Sequence, residues 1–528
     1  MNQKIRILLV MLLSIMAYEM QAMCSAACNI SAHTTLIPRK MSQNSVLELA
    51  LHNYYEYHRP VCGDCPSWFS LEVTAPYYFK STRGKKLANY FLPKCQECIT
   101  IGENNTSDIS SPWLQLITPI ATPFQSTVCI KPNRSVIGGA VRLYFDLTSF
   151  VENCSCWNPN WWLSIFIPFE QVRHDLDITQ TDSPFPGTFD GITDAITALN
   201  NPAWNYGKWS PKKLKKSGVD DICIKLGFDM LKDDCNHAGL YGIVFVPTGR
   251  GTKAKYLFEP LVGSKHVGAG VGFNADYLIY ECGSNSLDLM IDARYAYFFK
   301  HKEVRSIDLF NGDLSRYLQV VLPNTVAQPN NTNMPVPGIN FFTQKVEVTP
   351  RNMFELWAAL SFNHCDFHFE FGYDFWMRSK EKLKLADLDL GVGIFDIAQR
   401  SATTGICPVT ASCARICQAI PGTDAPVSDT TFVSVKNSKT INKQGTQRDG
   451  SSCCPVYCAQ PNQCSYLNLD SAANPKALTS TVYAAASYDC CLCCEYPVMI
   501  GVGGQYEIAH RNSALSQYGV WLKTAISF

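Results

Sequence analysis

Greasy and polar side chains alternate one by one along about a dozen stretches of this 528-residue chain, and the last stretch runs to the final residue. In 517–528, Tyr518, Val520, Leu522, Thr524, Ile526 and Phe528 fall on one side of an extended strand, and Gln517, Gly519, Trp521, Lys523, Ala525 and Ser527 on the other. A soluble sheet has little reason to stop in mid-strand on a bulky apolar residue. A sheet closed on itself in hydrocarbon does, because its last strand must pair with its first and turn an apolar face to lipid.

The same period recurs in segments of about ten residues, the length of a tilted strand that crosses a bilayer. They are 68–80, 139–149, 161–170, 221–231, 240–248, 266–280, 286–300, 354–362, 366–378, 477–489, 499–509 and 515–528. In 286–300, Leu287, Leu289, Ile291, Ala293, Tyr295, Tyr297 and Phe299 oppose Asp288, Asp292, Arg294 and Lys300. In 68–80 the apolar face reads Phe69, Leu71, Val73, Ala75, Tyr77 and Phe79. Connection lengths provide an independent check. The turns on one side, 151–160, 232–239, 281–285, 363–365 and 490–498, are all short. On the other side 81–138, 171–220, 249–265, 301–353 and 379–476 are each longer than any of them, and 510–514 alone is short. The expectation is an all-β fold: a closed antiparallel transmembrane β-barrel of about twelve strands, with long loops on one side and short turns on the other. Fourteen strands follow if 380–399, with Leu388, Leu390, Val392 and Ile394, adds a pair. A short amphipathic helix is expected in 190–200, and Ser45-Val46-Leu47-Glu48 reads as a helix start.

The carboxyl-terminal strand resembles that of bacterial outer-membrane β-barrels of the porin-like type, whose assembly machinery reads such a tail. The resemblance implies a bacterial outer-membrane location, extracellular loops and periplasmic turns. It also implies partners: the barrel-assembly machinery, outer-membrane lipid and possible copies of itself. It implies no cofactor. Composition is compatible. The 45 basic residues balance the 45 acidic ones, which suggests no nucleic-acid partner, and a mean hydropathy of −0.05 excludes a bundle of membrane helices. At the amino terminus Lys4 and Arg6 precede an apolar run, 7–17, too short to span. Small residues at Ser25 and Ala27 then suit cleavage. The expected organisation is a signal peptide at 1–27, a periplasmic or lumenal segment at 28–66, and a barrel at 67–528 with a cysteine-rich extracellular loop at 379–476.

Twenty-four cysteines in an exported chain point to an oxidising compartment and disulfides. Cys62-x-x-Cys65 and Cys95-x-x-Cys98 have zinc-site spacing, but the strand between them would hold the pairs at opposite membrane faces. Each pair alone reads as a structural disulfide ahead of a redox motif. Cys154, Cys156, Cys235, Cys282, Cys365, Cys490, Cys491, Cys493 and Cys494 fall on or beside the short turns. Cys407, Cys413, Cys417, Cys453, Cys454, Cys458 and Cys464 fill the largest loop. They staple loops within one molecule, at about 2–4 kcal/mol per bridge, or they cross-link neighbours. In the second respect the chain is similar, in architecture only, to the cysteine-rich major outer-membrane proteins of chlamydiae.

The inward positions carry Glu72, Arg142, Asp146, Lys225, Asp229, Asp288, Asp292, Arg294, Glu370, Asp374, Arg378, Glu507 and Lys523 as candidate pore-lining residues. They line a water-filled passage of weak ion selectivity, or they fill a narrow lumen with salt bridges. Loop 301–353 is the candidate to fold inward and narrow the passage. The expected function is passive diffusion of small polar solutes together with an envelope structural role. The alternatives are a cross-linked coat with a closed lumen and an outer-membrane lipid hydrolase. His510 and Ser516, flanking the last outer turn, would serve the hydrolase, but no Gly-x-Ser-x-Gly elbow occurs. A secreted glycoprotein, suggested by acceptor sites such as Asn104 and Asn330, is opposed by the aromatic terminus. No metal or catalytic residue is assigned, and the chain is expected not to be an enzyme.

Overall fold

A computed structural model describes residues 30–51, 68–82, 84–102, 107–116, 124–148, 160–182, 192–232, 236–309, 313–321, 336–385, 391–401, 405–411, 433–434, 467–492 and 496–528. The expected signal peptide, Cys62, Cys65 and most of the cysteine-rich loop lie outside them. Twelve strands form one antiparallel sheet closed on itself. They are β1 (Phe69–Thr82), β2 (Asn133–Asp146), β3 (Asn160–Asp175), β4 (Ile222–Lys232), β5 (Asn236–Val246), β6 (Gly268–Cys282), β7 (Asn285–Phe298), β8 (Arg351–His364), β9 (Phe367–Arg378), β10 (Ala477–Leu492), β11 (Tyr496–Ala509) and β12 (Ser516–Ser527). Each pairs with its neighbours in sequence, and β12 pairs with β1, Leu71 opposite Ile526. The Phe528 amide donates to the Phe69 carbonyl at 2.8 Å, so the last residue completes the seam. The fourteen-strand alternative is not adopted. Lys382–Leu385 and Gly391–Ser401 are strands, but they belong to sheets outside the barrel.

Closure explains the alternation. Every second side chain faces outward and is well exposed despite being apolar, as with Val271 (63 %), Phe371 (55 %) and Val520 (52 %). A band of such residues around a closed hoop is a lipid-facing surface. Among the described residues no helix is long and apolar enough to cross a membrane.

One part of the alternation breaks. Tyr77 and Phe79, expected on the lipid side, are wholly buried inside. A bulge at Ala75 and Pro76 places two residues of β1 against one on each neighbour: Thr74 opposes Lys523 and Ala140, and Tyr77 opposes Trp521 and Gly138. One extra residue reverses the parity of everything beyond it.

The long connections share a second apolar core above the barrel mouth, which includes Tyr90, Phe91, Ile99, Trp204, Trp209, Phe258, Tyr317, Phe342 and Val346. Helix α2 (Gly84–Phe91) buries Leu87, Ala88, Tyr90 and Phe91 in it. The helix foreseen in 190–200 is Ala195–Leu199, its first turn capped by the Asp194 side chain on the Thr197 amide at 2.8 Å. Strands Cys98–Gly102 and Gln125–Ile130 lie in this cap and carry a disulfide between directly opposed residues, Cys98 and Cys129. The pairing of Cys95 with Cys98 is therefore corrected: strand register sets Cys98 directly opposite Cys129, and the bridge runs across the two strands.

Candidate functional site

The lumen is occupied by the start of the described chain. Residues 30–34 are tied to the outer cap: the Ala32, His33 and Thr34 amides donate to the carbonyls of Leu92, Tyr90 and Ser471 at 3.1, 3.0 and 2.9 Å. The chain then descends. The Lys40 ammonium meets Asp221, just above β4, at 2.7 Å. Helix α1 (Ser45–Leu49) follows, capped by Asn44 on the Leu47 amide, and every residue of it is buried. Deeper still, the Leu51 amide donates to Glu370 at 2.8 Å. The segment thus runs from the extracellular side toward the periplasmic side.

Two charged residues fix it across the lumen. Glu48 accepts Lys225 at 2.7 Å and Arg294 at 2.8 Å. Arg39 pairs with Glu355, with Asp374 at 2.7 Å and with Glu507 at 3.6 Å. Lys523, bound to Glu72 at 2.8 Å, also donates to the carbonyls of Glu48 and Ala50 at 3.3 and 2.7 Å. Arg294 closes the network on Glu355 at 2.5 Å.

All thirteen candidate pore residues face inward, and the structure divides them. Lys225, Arg294, Glu370, Asp374, Glu507 and Lys523 hold the amino-terminal segment, and Glu72 does so through Lys523. Arg142, Asp229, Asp288 and Asp292 bond to wall residues Ser164, Trp162 with His237, Asn363, and Tyr241 at 2.8–3.0 Å. Asp146 sits at the periplasmic rim on the Thr148 amide, at 2.9 Å. Arg378 lies at the outer mouth beside Trp376, lining a cavity of about 50 Å³ with Lys40, His266 and Glu381. The midplane is therefore filled rather than water-filled. The narrowing element is the amino-terminal segment, not loop 301–353, whose described residues Ile307, Leu309, Tyr317, Ile339 and Val346 are drawn into the outer core. Arg39, Glu48 and Glu355 were not legible as site residues, because nothing local marks a charge in a short lead-in as the partner of a distant strand.

Aromatic rings fill the space that remains, and each lies over a glycine directly opposite on the next strand: Tyr77 over Gly138, Phe79 over Gly519, Trp162 over Gly227, Tyr241 over Gly272, Tyr483 over Gly372 and Trp521 over Gly503. A bare backbone lets a large ring lie flat against the wall, and the ring covers the strand that lacks a side chain.

The anchor in the cap carries a titratable group. His33 is half-buried and stacked on Tyr90, ring centres 5.1 Å apart. Burial, and next the Lys380 ammonium, push its pKa down from 6.5 to about 4. The docked imidazole stays neutral where an undocked one takes a proton. Docking is then fully stable above pH 6.5 and weakens as pH falls toward about 4. Protection of the amides of residues 30–36, corrected for the intrinsic pH dependence of exchange, is expected to fall over that interval, and His33→Phe to flatten the dependence.

The proposed hydrolase pair is not assembled. The Ser516 hydroxyl accepts the Ala509 amide at 3.0 Å, while His510 Nε2 lies 2.8 Å from Ser480 Oγ.

No protein-family model matches the chain, and no curated protein matches it either. Solved structures do. An outer membrane channel from Pseudomonas putida F1 is 10 % identical, with 89 % of this chain and 98 % of that one covered and a TM-score of 0.35. A FadL homologue of Pseudomonas aeruginosa is 9 % identical over 87 % and 90 %, with a TM-score of 0.25. OmpT, an outer membrane protein of Vibrio cholerae, is 6 % identical over 87 % and 98 %, with a TM-score of 0.22. At these identities the likeness is one of fold. The expectation that the chain is not an enzyme is withdrawn, because a barrel of this architecture does not by itself exclude catalysis. The closed hoop and its apolar band make this chain a twelve-stranded transmembrane β-barrel, the architecture of bacterial outer-membrane proteins.

Proposed function

We propose that the protein is a gated channel for small polar solutes, whose conduit is the barrel lumen and whose gate is the segment 39–51. The observation that carries this reading is the position of Glu48. The Lys225 ammonium, on the wall, finds its carboxylate on the segment and not on the wall. A lumen meant to stay shut would satisfy its charges from its own strands, as Asp229 and Asp292 do. A wall that takes counter-charges from a separate stretch of chain has a second state, in which that stretch leaves and water replaces it. Mixed signs along the wall suit small polar solutes of either charge. The test is single-channel recording of the purified chain in planar bilayers. Long closed intervals broken by discrete steps are expected. Silence at every voltage, in the native chain and equally in one freed of the Glu48 contacts, removes the channel.

A structural role is the second reading, favoured by three thiols. Cys282, Cys365 and Cys490 are free, exposed and gathered at the periplasmic end of the barrel, where β6 and β10 end and β8 turns into β9. Thiols that face neighbours rather than one another suit cross-links between molecules, as in cysteine-rich envelope proteins. On non-reducing gels of oxidised outer membranes a ladder of multimers is expected. It should collapse when all three are replaced by serine, and a monomer band alone removes this role.

A further inference from the structure

One cation at the outer mouth has no counter-charge. The cavity of about 50 Å³ there lies between the amino-terminal segment, at Ile37, Pro38, Lys40 and Gln43, and the barrel wall, at Phe298, Met353, Trp376 and Arg378. Five titratable side chains line it, and four are committed. Lys40 is bound to Asp221 at 2.7 Å and His266 to Glu303 at 3.1 Å. The Arg351 guanidinium donates to the Lys380 carbonyl at 2.6 and 3.1 Å. Glu381 accepts the backbone and side-chain amides of Asn474 at 2.9 and 3.0 Å and meets Arg305 at 3.3 Å. Arg378 is the fifth. Its Nε and Nη2 are buried without a hydrogen-bond partner, and no carboxylate among the described residues comes within ion-pair distance of it. The Trp376 ring centre is 5.9 Å from this guanidinium, and the indole Nε1 is buried and unbonded as well.

Two other buried arginines show what that edge takes. Arg294 sets Nε and Nη2 on Glu355 at 2.6 and 2.5 Å, and Arg305 sets the same two atoms on Glu303 at 2.9 and 2.7 Å. A guanidinium cannot shed its charge, and its planar edge matches a carboxylate. Held in the interior without one it destabilises the fold, and a carboxylate from outside the chain relieves that. Arg378 closes β9, and a rotation of its side chain turns the edge toward the cavity. Size and lining then narrow the ligand. One water needs about 10–15 Å³ of such space, so the cavity holds roughly three to five non-hydrogen atoms. Ile37, Pro38, Phe298 and Met353 offer carbon to all but the charged end. That favours a short organic acid over a hydrated inorganic anion.

We propose that this cavity is a regulatory site for a monocarboxylate of about two to four carbons, and that its occupant pins the segment 39–51 against the wall. The carboxylate takes the Arg378 edge and the Trp376 N–H, and the tail lies between Pro38 and Met353. Such a ligand touches segment and wall at once. It therefore binds the docked state better than the undocked one, and shifts the equilibrium toward closure by that difference. Binding stands on the cavity alone, while its effect on conductance rests on the channel reading above.

The full-length protein in neutral detergent is titrated with propionate, 1-propanol, hexanoate and inorganic phosphate, and binding is read by saturation-transfer NMR. Saturable binding of propionate is expected, with a dissociation constant of about 1 mM that rises at least about tenfold in Arg378→Gln. No ion pair is broken by that change, so the variant is expected to keep its heat-shifted gel migration. Equal binding of propanol, tighter binding of hexanoate, displacement of propionate by equimolar phosphate, or undiminished binding by folded Arg378→Gln overturns the site. Should the variant not fold, the ligand series on the native protein decides. In planar bilayers, saturating propionate is expected to lower the open fraction of Glu48→Ala channels about tenfold and to leave Glu48→Ala, Arg378→Gln channels unchanged. Propionate that binds but leaves the open fraction of Glu48→Ala unchanged overturns the pinning alone. Bound propionate in a chain silent in every variant removes the channel and the pinning with it, and the binding site stands.

Discussion

Glu48→Ala is expected to raise the time-averaged conductance of the bilayer-inserted barrel by about two orders of magnitude. The carboxylate lies between Lys225 and Arg294, and all three side chains are nearly inaccessible to solvent. Removing it leaves Arg294 its second partner, Glu355, but leaves Lys225 no carboxylate within ion-pair distance among the described residues, with the face of Tyr241 5.1 Å away at the ring centre. An unpaired buried cation costs about 3–5 kcal/mol. That cost falls on the docked state, because withdrawal of the segment lets water reach the ammonium. An equilibrium shifted by this much moves about two to four decades in favour of the open form. A second substitution separates gating from general damage: in Glu48→Ala with Lys225→Met no charge is stranded, and the closed record is expected to return. Glu48→Ala channels as silent as the native ones, in a barrel that still shifts on heating, would falsify the gate.

Gly503→Val is expected to abolish most of the folded, heat-modifiable barrel. Gly503 lies opposite Trp521, and a Cβ built there meets the indole. Overpacking a core typically costs about 1–3 kcal/mol, and more where the neighbour cannot move. Trp521 cannot: it is 1 % exposed, beside the charge network of Lys523 in a filled lumen. The double variant Gly503→Val, Trp521→Ala is expected to recover much of the folded fraction, because each change removes the reason the other is harmful. Wild-type yield of folded Gly503→Val protein, or additive damage in the double variant, contradicts the paired packing.

Much of the wall was legible in the sequence because lipid and water act on each side chain separately. Whether Leu289 meets hydrocarbon and Asp288 the lumen depends on their own positions along one strand, so a period of two, strand by strand, yields the hoop. The sorting of short and long connections then places the two membrane faces. The Tyr77 and Phe79 assignment failed for a local reason, since one inserted residue at Ala75–Pro76 reverses the faces without disturbing the apolar count.

What the sequence by itself determined is a closed barrel of about twelve strands, since alternation is a property of neighbouring residues; the choice of twelve over fourteen came from the pairing of Lys382–Leu385 and Gly391–Ser401 outside the barrel. Only the tertiary structure decided what fills that barrel. Arg39 finds Asp374 across 335 residues and Glu48 finds Arg294 across 246, and Trp521 settles on Gly503 only once register is set. A buried charge or a bare backbone chooses its partner through space, and space is not ordered by position in the chain.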